Sequence, residues 1–241
     1  MPKDANMRAL VEDCCGWNRK VWADAIEFGL AQFPERLAGR KVLEIGAGRH
    51  STIAPIFSVK GAETVCSYFH LTKEDIENGQ FKIIMDKYHL DKIATIEQNI
   101  FDIGGKYDLI VLKSVLGGIC RSNDYGKLRE IVDKLFLENL KEDGAIFTID
   151  NGDINLFRSV RRFWGAGRNE WTYFTEEKVT SSLCAYNVAI KGFGFLNIGS
   201  AKFLLQGNYE FINDIVYYFD KLITRIYTPK WRAVLATIIR K

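Results

Sequence analysis

Hydrophobic positions follow two different periods along the first part of the chain, and each period predicts one kind of element. Apolar residues recur every three to four positions from Ala5 to Phe33, which predicts helix, and Pro34 and Gly39 end that pattern. Five short apolar runs follow and predict five strands. The predicted strands are Lys41–Ile45, Glu63–Phe69, Ala94–Ile100, Tyr107–Ser114 and Ala145–Asp150.

Helical patterns separate these strands. A helix is expected from about Ser51, another over Thr72–Tyr88 with Thr72 as its N-cap, and an amphipathic one over Lys127–Leu140. The segment Lys141–Gly144 is expected to form a turn. Alternation of strand and helix predicts an α/β fold with a mostly parallel sheet and helices on both faces. Right-handed crossovers then place all the strand C-termini at one edge, where ligands bind.

The pattern changes after the fifth strand. The chain continues with a helical pattern, strand-like runs broken by glycines, an aromatic helical pattern and a last strand. These segments are Glu176–Leu183, Ala185–Gly199, Phe211–Tyr227 and Arg232–Ile239. There is no internal repeat or low-complexity linker, so we expect a single domain over residues 1–241. We divide this domain into four parts: an N-terminal helical segment (1–39), a core with the five strands and their helices (40–150), an additional region of mixed pattern (151–231) and the last strand (232–241).

Composition narrows the class of protein. A chain of 241 residues with 47% hydrophobic content can bury the core of one α/β domain, and a formal charge of +3 gives no general attraction to nucleic acid. Five cysteines without a Cys-x-x-Cys spacing indicate free thiols in a reducing compartment. No signal peptide and no apolar run long enough to span a bilayer is apparent. We therefore expect a cytoplasmic protein without a nucleic-acid partner.

The strongest chemical signal is the glycine turn after the first strand, Gly46-Ala47-Gly48. Glycines at a strand-to-helix turn let backbone N–H groups approach a ligand. The Gly-Lys-Ser/Thr of a phosphate-binding loop is absent, and Ser51 stands where a dinucleotide-binding motif has its third glycine. An acid, Glu44, lies two residues before the turn.

The turn and its surroundings resemble the class I S-adenosylmethionine methyltransferases. Glu44, Gly46 and Gly48 match the acid-x-Gly-x-Gly motif of that family, and the resemblance runs from about Arg40 to Asp150. Asn99–Asp102 stands where the family places an adenine-contacting acid, and Tyr107–Val111 and Lys141–Gly144 match its later motifs. The resemblance implies a Rossmann-like seven-stranded sheet, antiparallel only at its last strand, and S-adenosylmethionine as cofactor.

The same resemblance implies the residues that hold the cofactor. They are Glu44, Gly46, Ala47, Gly48, Ser67, Tyr68, Asn99, Ile100 and Lys113. Two positions depart from the family pattern: His50 replaces a glycine, and Tyr68 stands where an acid clasps the ribose hydroxyls. A tyrosine cannot accept two hydrogen bonds from a diol as a carboxylate does. We therefore expect an atypical cofactor site, and a related fold that no longer binds cofactor is the alternative.

Further segments resemble a narrower group, the methyltransferases encoded with bacterial surface-polysaccharide (O-antigen) genes. The matching segments are Trp22–Phe28, Val65–Ser67, Leu112–Ile119, Trp164–Gly165, Trp171–Thr175 and Gly192–Gly199. This resemblance implies O-methylation of a sugar hydroxyl in a surface glycan or its precursor, as in lipopolysaccharide biosynthesis. The same core would serve a small-molecule O- or N-methyltransferase, and a non-catalytic partner protein is the alternative from another class.

A cluster of basic and aromatic residues beyond the fifth strand suits such a substrate. Its members are Arg158, Arg161, Arg162, Trp164, Trp171 and Tyr173. Aromatic faces stack on sugar rings and arginine forks bind carboxylate or phosphate, so an acidic or phosphate-linked sugar fits. The alternative is a solvated basic helix beside ordinary core aromatics.

Transfer of a methyl group to a sugar hydroxyl needs a base, because the hydroxyl is a poor nucleophile at neutral pH. Asp150, at the end of the fifth strand, is the first candidate, and His50 is the second. Either could instead be structural, since an aspartate at a strand end often caps a helix. Asp150 and Asp153 lack a third ligand, so we expect no metal.

All charged residues from Lys221 onward are basic, and they follow the aromatic stretch Phe211–Phe219. A basic aromatic helix can lie on an anionic membrane surface, which allows peripheral membrane association at the inner face. The alternative is a packing helix before the last antiparallel strand. The sequence leaves the oligomeric state and the identity of the sugar open.

Overall fold

The computed structural model describes residues 6–90, 93–153, 171–195, 209–226 and 232–241. Within them lies a seven-stranded sheet of order β3-β2-β1-β4-β5-β7-β6. The strands are β1 Lys41–Ile45, β2 Glu63–Tyr68, β3 Ala94–Glu97, β4 Tyr107–Lys113, β5 Leu140–Asn151, β6 Asn187–Phe193 and β7 Val234–Arg240. The first five strands pair in parallel, and β7 runs antiparallel between β5 and β6. The predicted mostly parallel sheet with an antiparallel last strand is confirmed.

Helices cover both faces of this sheet. They are α1 Met7–Asp13, α2 Arg19–Leu30, α3 Ala54–Val59, α4 Lys73–Glu77, α5 Gln80–Lys87, α6 Leu116–Ile119, α7 Tyr125–Lys134, α8 Glu176–Ser182 and α9 Tyr209–Ile226. A 3-10 turn (Arg121–Asn123) follows α6, and a π-helical turn (Leu135–Asn139) extends α7. One core packs α1, α2 and α3 against the sheet, and a second packs α6, α7 and α8 against the opposite face. In the part of the chain that the structure describes, no helix combines the length and apolarity needed to cross a membrane.

Strand bounds agree with the apolar runs to within a few residues, but two predicted helices are interrupted. The expected helix over Ala5–Phe33 breaks between α1 and α2, where Asn18 adopts a left-handed backbone (φ 44°). A Cβ on Gly16 in this break would lie 2.5 Å from the carbonyl oxygen of His50. The break therefore lets the N-terminal segment pass directly against the turn that follows β1.

The helix expected over Thr72–Tyr88 is likewise two helices, α4 and α5, separated at Asn78–Gly79. Thr72 caps α4 as predicted, in a reciprocal pair of hydrogen bonds with Asp75. Gln80 at the start of α5 donates its backbone N–H to the Arg49 carbonyl oxygen at 3.0 Å. This second break also supports the turn after β1.

The segment Lys141–Gly144, expected as a turn, lies inside β5. Tyr107 pairs with Leu140 and Leu109 with Ala145, so the intervening residues form a bulge against β4. The bulge projects charged residues to solvent while both of its ends stay paired. It lies at the edge of the sheet opposite the glycine turn and does not shape the site.

Candidate active site

The glycine turn joins β1 to α3 at the C-terminal edge of the sheet, where the strand order reverses. Gly46 has φ 79°, and a Cβ there would lie 2.6 Å from Val115 Cγ2, so only glycine fits. A Cβ on Gly48 would meet only the Ser51 carbonyl oxygen, at 3.8 Å. The turn therefore leaves an open backbone surface at Gly48.

The N–H groups of this turn are used within the chain. Ala47 donates to the Ser67 carbonyl oxygen at 2.8 Å, and Gly48 donates to the Ser51 carbonyl oxygen at 2.9 Å. We expected such N–H groups to face a ligand. At Ala47 and Gly48 these N–H groups are already bonded, so the turn can accommodate a ligand through its shape and its lack of large side chains.

Glu44 lies beneath the turn and is buried. Its Oε1 accepts from the Ile53 N–H at 2.9 Å, and its Oε2 accepts from the Ala54 N–H at 2.8 Å and from the Thr52 hydroxyl at 2.6 Å. Burial raises the pKa of Glu44 against the opposing effect of these bonds. The carboxylate thus anchors the start of α3, and it acts on any ligand through the turn that it positions.

Lys113 ends β4 on the same face of the sheet as Glu44 and is buried. Its Nζ lies 2.6 Å from Ser51 Oγ and 4.6 Å and 4.2 Å from the ring centroids of Trp17 and Trp22. Burial lowers the pKa of the ammonium. No ion pair links Lys113 to a carboxylate among the described residues, although the buried carboxylates of Glu44 and Asp150 favour its charge at longer range. The ammonium lies against the glycine turn, and its contacts there are the Ser51 hydroxyl and the two indoles.

Three buried oxygens at the C-terminal ends of β2, β3 and β4 have no hydrogen-bond partner within the described ranges. They are Ser67 Oγ on β2, Gln98 Oε1 just after β3 and Ser114 Oγ just after β4. A buried polar atom without a partner costs roughly 1–3 kcal/mol, so such atoms indicate a ligand or water position. Ser67 was predicted from the sequence as a cofactor residue, whereas Gln98 and Ser114 were not. Each follows the charged residue that ends its strand, Glu97 for Gln98 and Lys113 for Ser114, and that position after a strand could have identified them.

The other predicted cofactor residues occupy the β2 and β3 side of the same edge. Tyr68 ends β2, is mostly buried, and its carbonyl oxygen accepts from the Gln98 N–H at 2.9 Å. Asn99 Oδ1 accepts from the Phe101 N–H at 3.0 Å and so shapes the turn after β3. Ile100 is buried in the core beneath β1. The structure therefore brings all three to the edge, with Asn99 already bonded within its own turn.

The two candidate bases lie in different surroundings. Asp150 is buried near the end of β5, where it accepts from the Thr148 hydroxyl and from the Gly117 N–H at 3.4 Å. Burial raises its pKa to about 6, against hydrogen bonds from Thr148 and the backbone at the start of α6. His50 is exposed at the tip of the glycine turn, and no described contact joins it to Asp150.

Part of the predicted substrate cluster lies beside Asp150. The Trp171 indole packs on Gly117 and Gly118 of α6, and its buried Nε1 has no partner within the described residues. Tyr173 is half-buried two residues further on, where its carbonyl oxygen accepts from the Tyr125 hydroxyl at 3.4 Å. The other members lie outside the described residues. These are Arg158, Arg161, Arg162 and Trp164.

All five cysteines are free thiols, and Cys184 is the exposed one. Among the residues described, no three His, Cys, Asp or Glu side chains converge in a way that could hold a metal ion. Metal independence stays a prediction from the sequence.

The sequence matches no protein-family model and no curated protein. The structure is similar to solved methyltransferases over nearly its whole length. Magnesium protoporphyrin IX methyltransferase from Synechocystis PCC 6803, with bound SAH, covers 100% of this chain and 90% of its own, at 13% identity and a TM-score of 0.56. An S-adenosylmethionine-dependent methyltransferase from Mesorhizobium loti covers 95% of this chain and 100% of its own, at 12% identity and a TM-score of 0.55.

A third similar structure is that of a methyltransferase with a chemically unrelated substrate. Geranyl diphosphate C-methyltransferase from Streptomyces coelicolor A3(2), in complex with Mg2+, geranyl diphosphate and S-adenosyl-L-homocysteine, covers 91% of this chain and 80% of its own, at 10% identity and a TM-score of 0.54. Identities this low establish the fold alone. The chain therefore has the Rossmann-like fold of class I methyltransferases, a fold that serves chemically unrelated acceptors.

Proposed function

We propose that this protein is an S-adenosylmethionine-dependent methyltransferase whose cofactor binds against the turn at Gly46–Gly48. The observation that carries the proposal is the set of buried oxygens without hydrogen-bond partners among the described residues, Ser67 Oγ, Gln98 Oε1 and Ser114 Oγ. Ser67 and Ser114 lie at the ends of the two strands that flank β1 and its glycine turn, and Gln98 follows β3, one strand further out. The cofactor's ribose hydroxyls and amine are donors that such oxygens can accept from.

Lys113 supplies the positive charge that the cofactor's methionyl carboxylate requires. Its ammonium is buried, has no carboxylate partner among the described residues, and is bonded to Ser51 next to the turn. Burial disfavours that charge and lowers its pKa, so a carboxylate ligand nearby would be held strongly. We assign the amino-acid end of the cofactor to this side of the turn.

The ribose end of the cofactor belongs on the β2 and β3 side. Tyr68 replaces the acid that related proteins are expected to have, and the acceptors that remain there are Ser67 Oγ and Gln98 Oε1. Two neutral acceptors can divide between them the hydroxyls that one carboxylate would take. Gln98 thus compensates for the substitution at Tyr68.

When bound, S-adenosylmethionine supplies a methyl group on a sulfonium, which an acceptor atom displaces in line. The protein must align that acceptor and remove its proton. We assign proton removal to Asp150, because a base with a pKa of about 6 is ionised at neutral pH and still close to it. The bond from the Gly117 N–H orients the carboxylate at the start of α6.

For the acceptor we propose a sugar hydroxyl of a bacterial surface glycan or its precursor. Trp171 supports this, because its half-buried indole packs on Gly117, which donates to Asp150, and its N–H has no partner among the described residues. Such an indole provides both a stacking face and a donor for a sugar. Arg158, Arg161 and Arg162 add the expectation of an acidic or phosphate-linked sugar. A small-molecule O- or N-methyltransferase is the second candidate, since the core fold serves many acceptors.

Two measurements test these proposals in order. Calorimetry with S-adenosylhomocysteine tests the cofactor, and absence of binding at about 1 mM with a folded protein would overturn both enzyme proposals in favour of a non-catalytic role. Methyl transfer is then measured with neutral, acidic and nucleotide-linked sugars against phenols and amines. Transfer to phenols or amines alone would overturn the sugar assignment. We expect activity to survive a chelator, and restoration of lost activity by magnesium or manganese would contradict metal independence.

A further inference from the structure

Helix α9 packs on the protein through its polar side. The buried side chains described on this helix are Asn213, Tyr217 and Asp220. Tyr217 donates its hydroxyl to the Asp24 carboxylate at 3.0 Å, and Lys221 forms an ion pair with the same carboxylate at 3.1 Å. A surface helix of a globular protein normally turns its apolar stripe inward, so the orientation of α9 is inverted.

The apolar side of α9 faces solvent. Six large apolar side chains on this helix are between 54% and 85% exposed. They are Phe211, Ile215, Tyr218, Phe219, Leu222 and Ile226, and we call this set the outer face of α9. At about 150–200 Å² for a side chain of this size, the outer face exposes on the order of 600–700 Å². That area exceeds the largest apolar patch of most monomers and approaches the roughly 800 Å² that each partner contributes to a stable interface.

The outer face has the same pattern when it is read in either direction along the helix. Its members form three pairs at equal distances from the midpoint of the face: Phe211 with Ile226, Ile215 with Leu222, and Tyr218 with Phe219. A two-fold axis through this midpoint would therefore place every member opposite a large apolar side chain of an antiparallel copy. Such a face is self-complementary, as an interface between two identical chains across a two-fold axis requires. A bilayer or an unrelated protein does not require this symmetry.

Two exposed charges on one flank of the outer face favour the same antiparallel arrangement. Glu210 lies in the first turn of α9 and Arg225 in the last, about 60° apart around the helix. Neither forms an ion pair with another described residue. In an antiparallel pair the same flank of both helices meets, so Glu210 of one copy lies beside Arg225 of the other. A parallel pair would bring like charges together at both ends.

The other exposed charges on α9 are used within the protein. Asp214 forms an ion pair with Lys20 at 2.7 Å, and Lys221 is held by Asp24. One acid at one end and one base at the other thus remain for a partner. This balanced pair complements a second, oppositely directed copy of the helix.

We propose that two copies of this chain pair through the outer faces of α9, antiparallel across a two-fold axis near Tyr218 and Phe219. The apolar stripes cover each other, and Glu210 of each copy forms an ion pair with the partner's Arg225. The contacts of Tyr217 and Lys221 with Asp24 hold each helix on its own protein, so the pairing joins two whole chains.

Sedimentation velocity of the full chain tests the dimer. We expect a dimer at about 100 μM and a growing share of monomer on dilution towards about 1 μM. Ile215→Glu/Leu222→Glu places carboxylates opposite each other across the interface and should raise the dissociation constant at least tenfold. A monomer at about 100 μM would overturn the proposal, and vesicle flotation would then test the membrane association predicted from the sequence.

A matched variant separates the outer face from general surface apolarity. Ile83→Glu/Leu137→Glu alters two side chains that are 57% and 75% exposed on other elements, and it should dimerise like the unaltered protein. Circular dichroism melts check that all variants are folded. Equal dissociation constants of the two double variants would show that the outer face is not the interface.

A charge exchange tests the ion pairs. Glu210→Arg and Arg225→Glu should each raise the dissociation constant roughly fivefold, because each places like charges side by side. The double variant Glu210→Arg/Arg225→Glu restores opposite charges and should return to within about twofold of the unaltered protein. A double variant that dimerises no better than the single ones would contradict the pairing of Glu210 with Arg225.

Crosslinking tests the direction of the pair. In a Cys184→Ser background, which removes the exposed cysteine, Phe211→Cys and Ile226→Cys are treated with a bismaleimide that spans about 10 Å. A mixture of the two variants should crosslink, whereas neither should crosslink alone, because the two copies of either position lie roughly 22 Å apart in an antiparallel pair. Efficient crosslinking of each variant with itself would show a parallel pair and overturn the proposed arrangement.

Discussion

The Lys113 ammonium and the Ser51 hydroxyl lie 2.6 Å apart, and this bond joins the end of β4 to the loop after β1. Ser51 in turn donates to the Cys14 carbonyl oxygen at 3.1 Å. Three segments distant in sequence thereby meet at one buried charge: the break between α1 and α2, the glycine turn and the central strand. A charge in such a place is costly unless something opposes it.

Replacement of Lys113 tests what that charge is for. Lys113→Met should lower the affinity for S-adenosylhomocysteine at least tenfold, because the carboxylate of the ligand loses its cation. Stability at neutral pH should be unchanged or higher, since a buried charge is removed. Burial lowers the pKa of Lys113, so the unaltered protein should gain stability as pH rises towards 10.5, and the variant should not. Calorimetry and urea unfolding measure both effects.

Lys191 provides the matched control for this substitution. It also lies over two aromatic rings, those of Phe28 and Phe193, at 5.6 Å and 5.5 Å from their centroids, but on β6 rather than at the glycine turn. Lys191→Met should leave the affinity for S-adenosylhomocysteine unchanged. Equal affinities of the two variants would contradict the role given to Lys113.

Glu44 should prove essential to the fold of the turn. Both of its carboxylate oxygens accept from backbone N–H groups, at Ile53 and Ala54. In Glu44→Gln, either orientation of the amide places its NH2 group against one of those donors. We expect a loss of about 2 kcal/mol in the free energy of unfolding, measured in urea. Glu63→Gln, at the exposed start of β2, should be neutral, and a neutral Glu44→Gln would show that the bonds contribute little.

The sheet could be predicted from the sequence because burial on both faces makes each central strand a continuous apolar run. Tyr107–Ser114 was expected and β4 ends at Lys113, one residue earlier. The cap at Thr72 was equally predictable, since its capping box needs only local residues. These features depend on residues that are close in sequence, so a short segment is enough to predict them.

The site was less predictable because its roles depend on contacts distant in sequence. The motif identified Glu44 as important but not that its carboxylate faces α3 rather than the open turn. Nothing local reveals that Gly16 must lie against the His50 carbonyl oxygen, which is why the first helix breaks. Helix α9 shows the same limit. Its apolar stripe would normally predict packing on a core, but six of its large apolar side chains are more than half exposed.

Gln98 should take over part of the role that Tyr68 cannot fill. In Gln98→Leu we expect roughly three- to tenfold weaker binding of S-adenosylhomocysteine, from the loss of one accepted hydrogen bond. The unaltered protein should bind adenosine more tightly than 2′- or 3′-deoxyadenosine, and Gln98→Leu should lose this difference in affinity. Stability should not fall, because Gln98 Oε1 is buried without a partner in the described residues. Gln32→Leu, an exposed position after α2, is the control, and retained ribose discrimination in Gln98→Leu would rule out this assignment.

The raised pKa of Asp150 allows an experiment to distinguish a catalytic role of this residue from a role as the cap of α6. The folded pKa of about 6 lies above the ordinary 3.8, so the stability due to protonation is complete below about pH 4 and lost as pH rises through about 6. Asp150→Asn should lack that loss and be more stable at pH 8, by up to about 3 kcal/mol. Methyl transfer should nevertheless fall at least a hundredfold with cofactor binding intact. Asp153→Asn is the control, and full activity of Asp150→Asn would reduce Asp150 to a cap of α6.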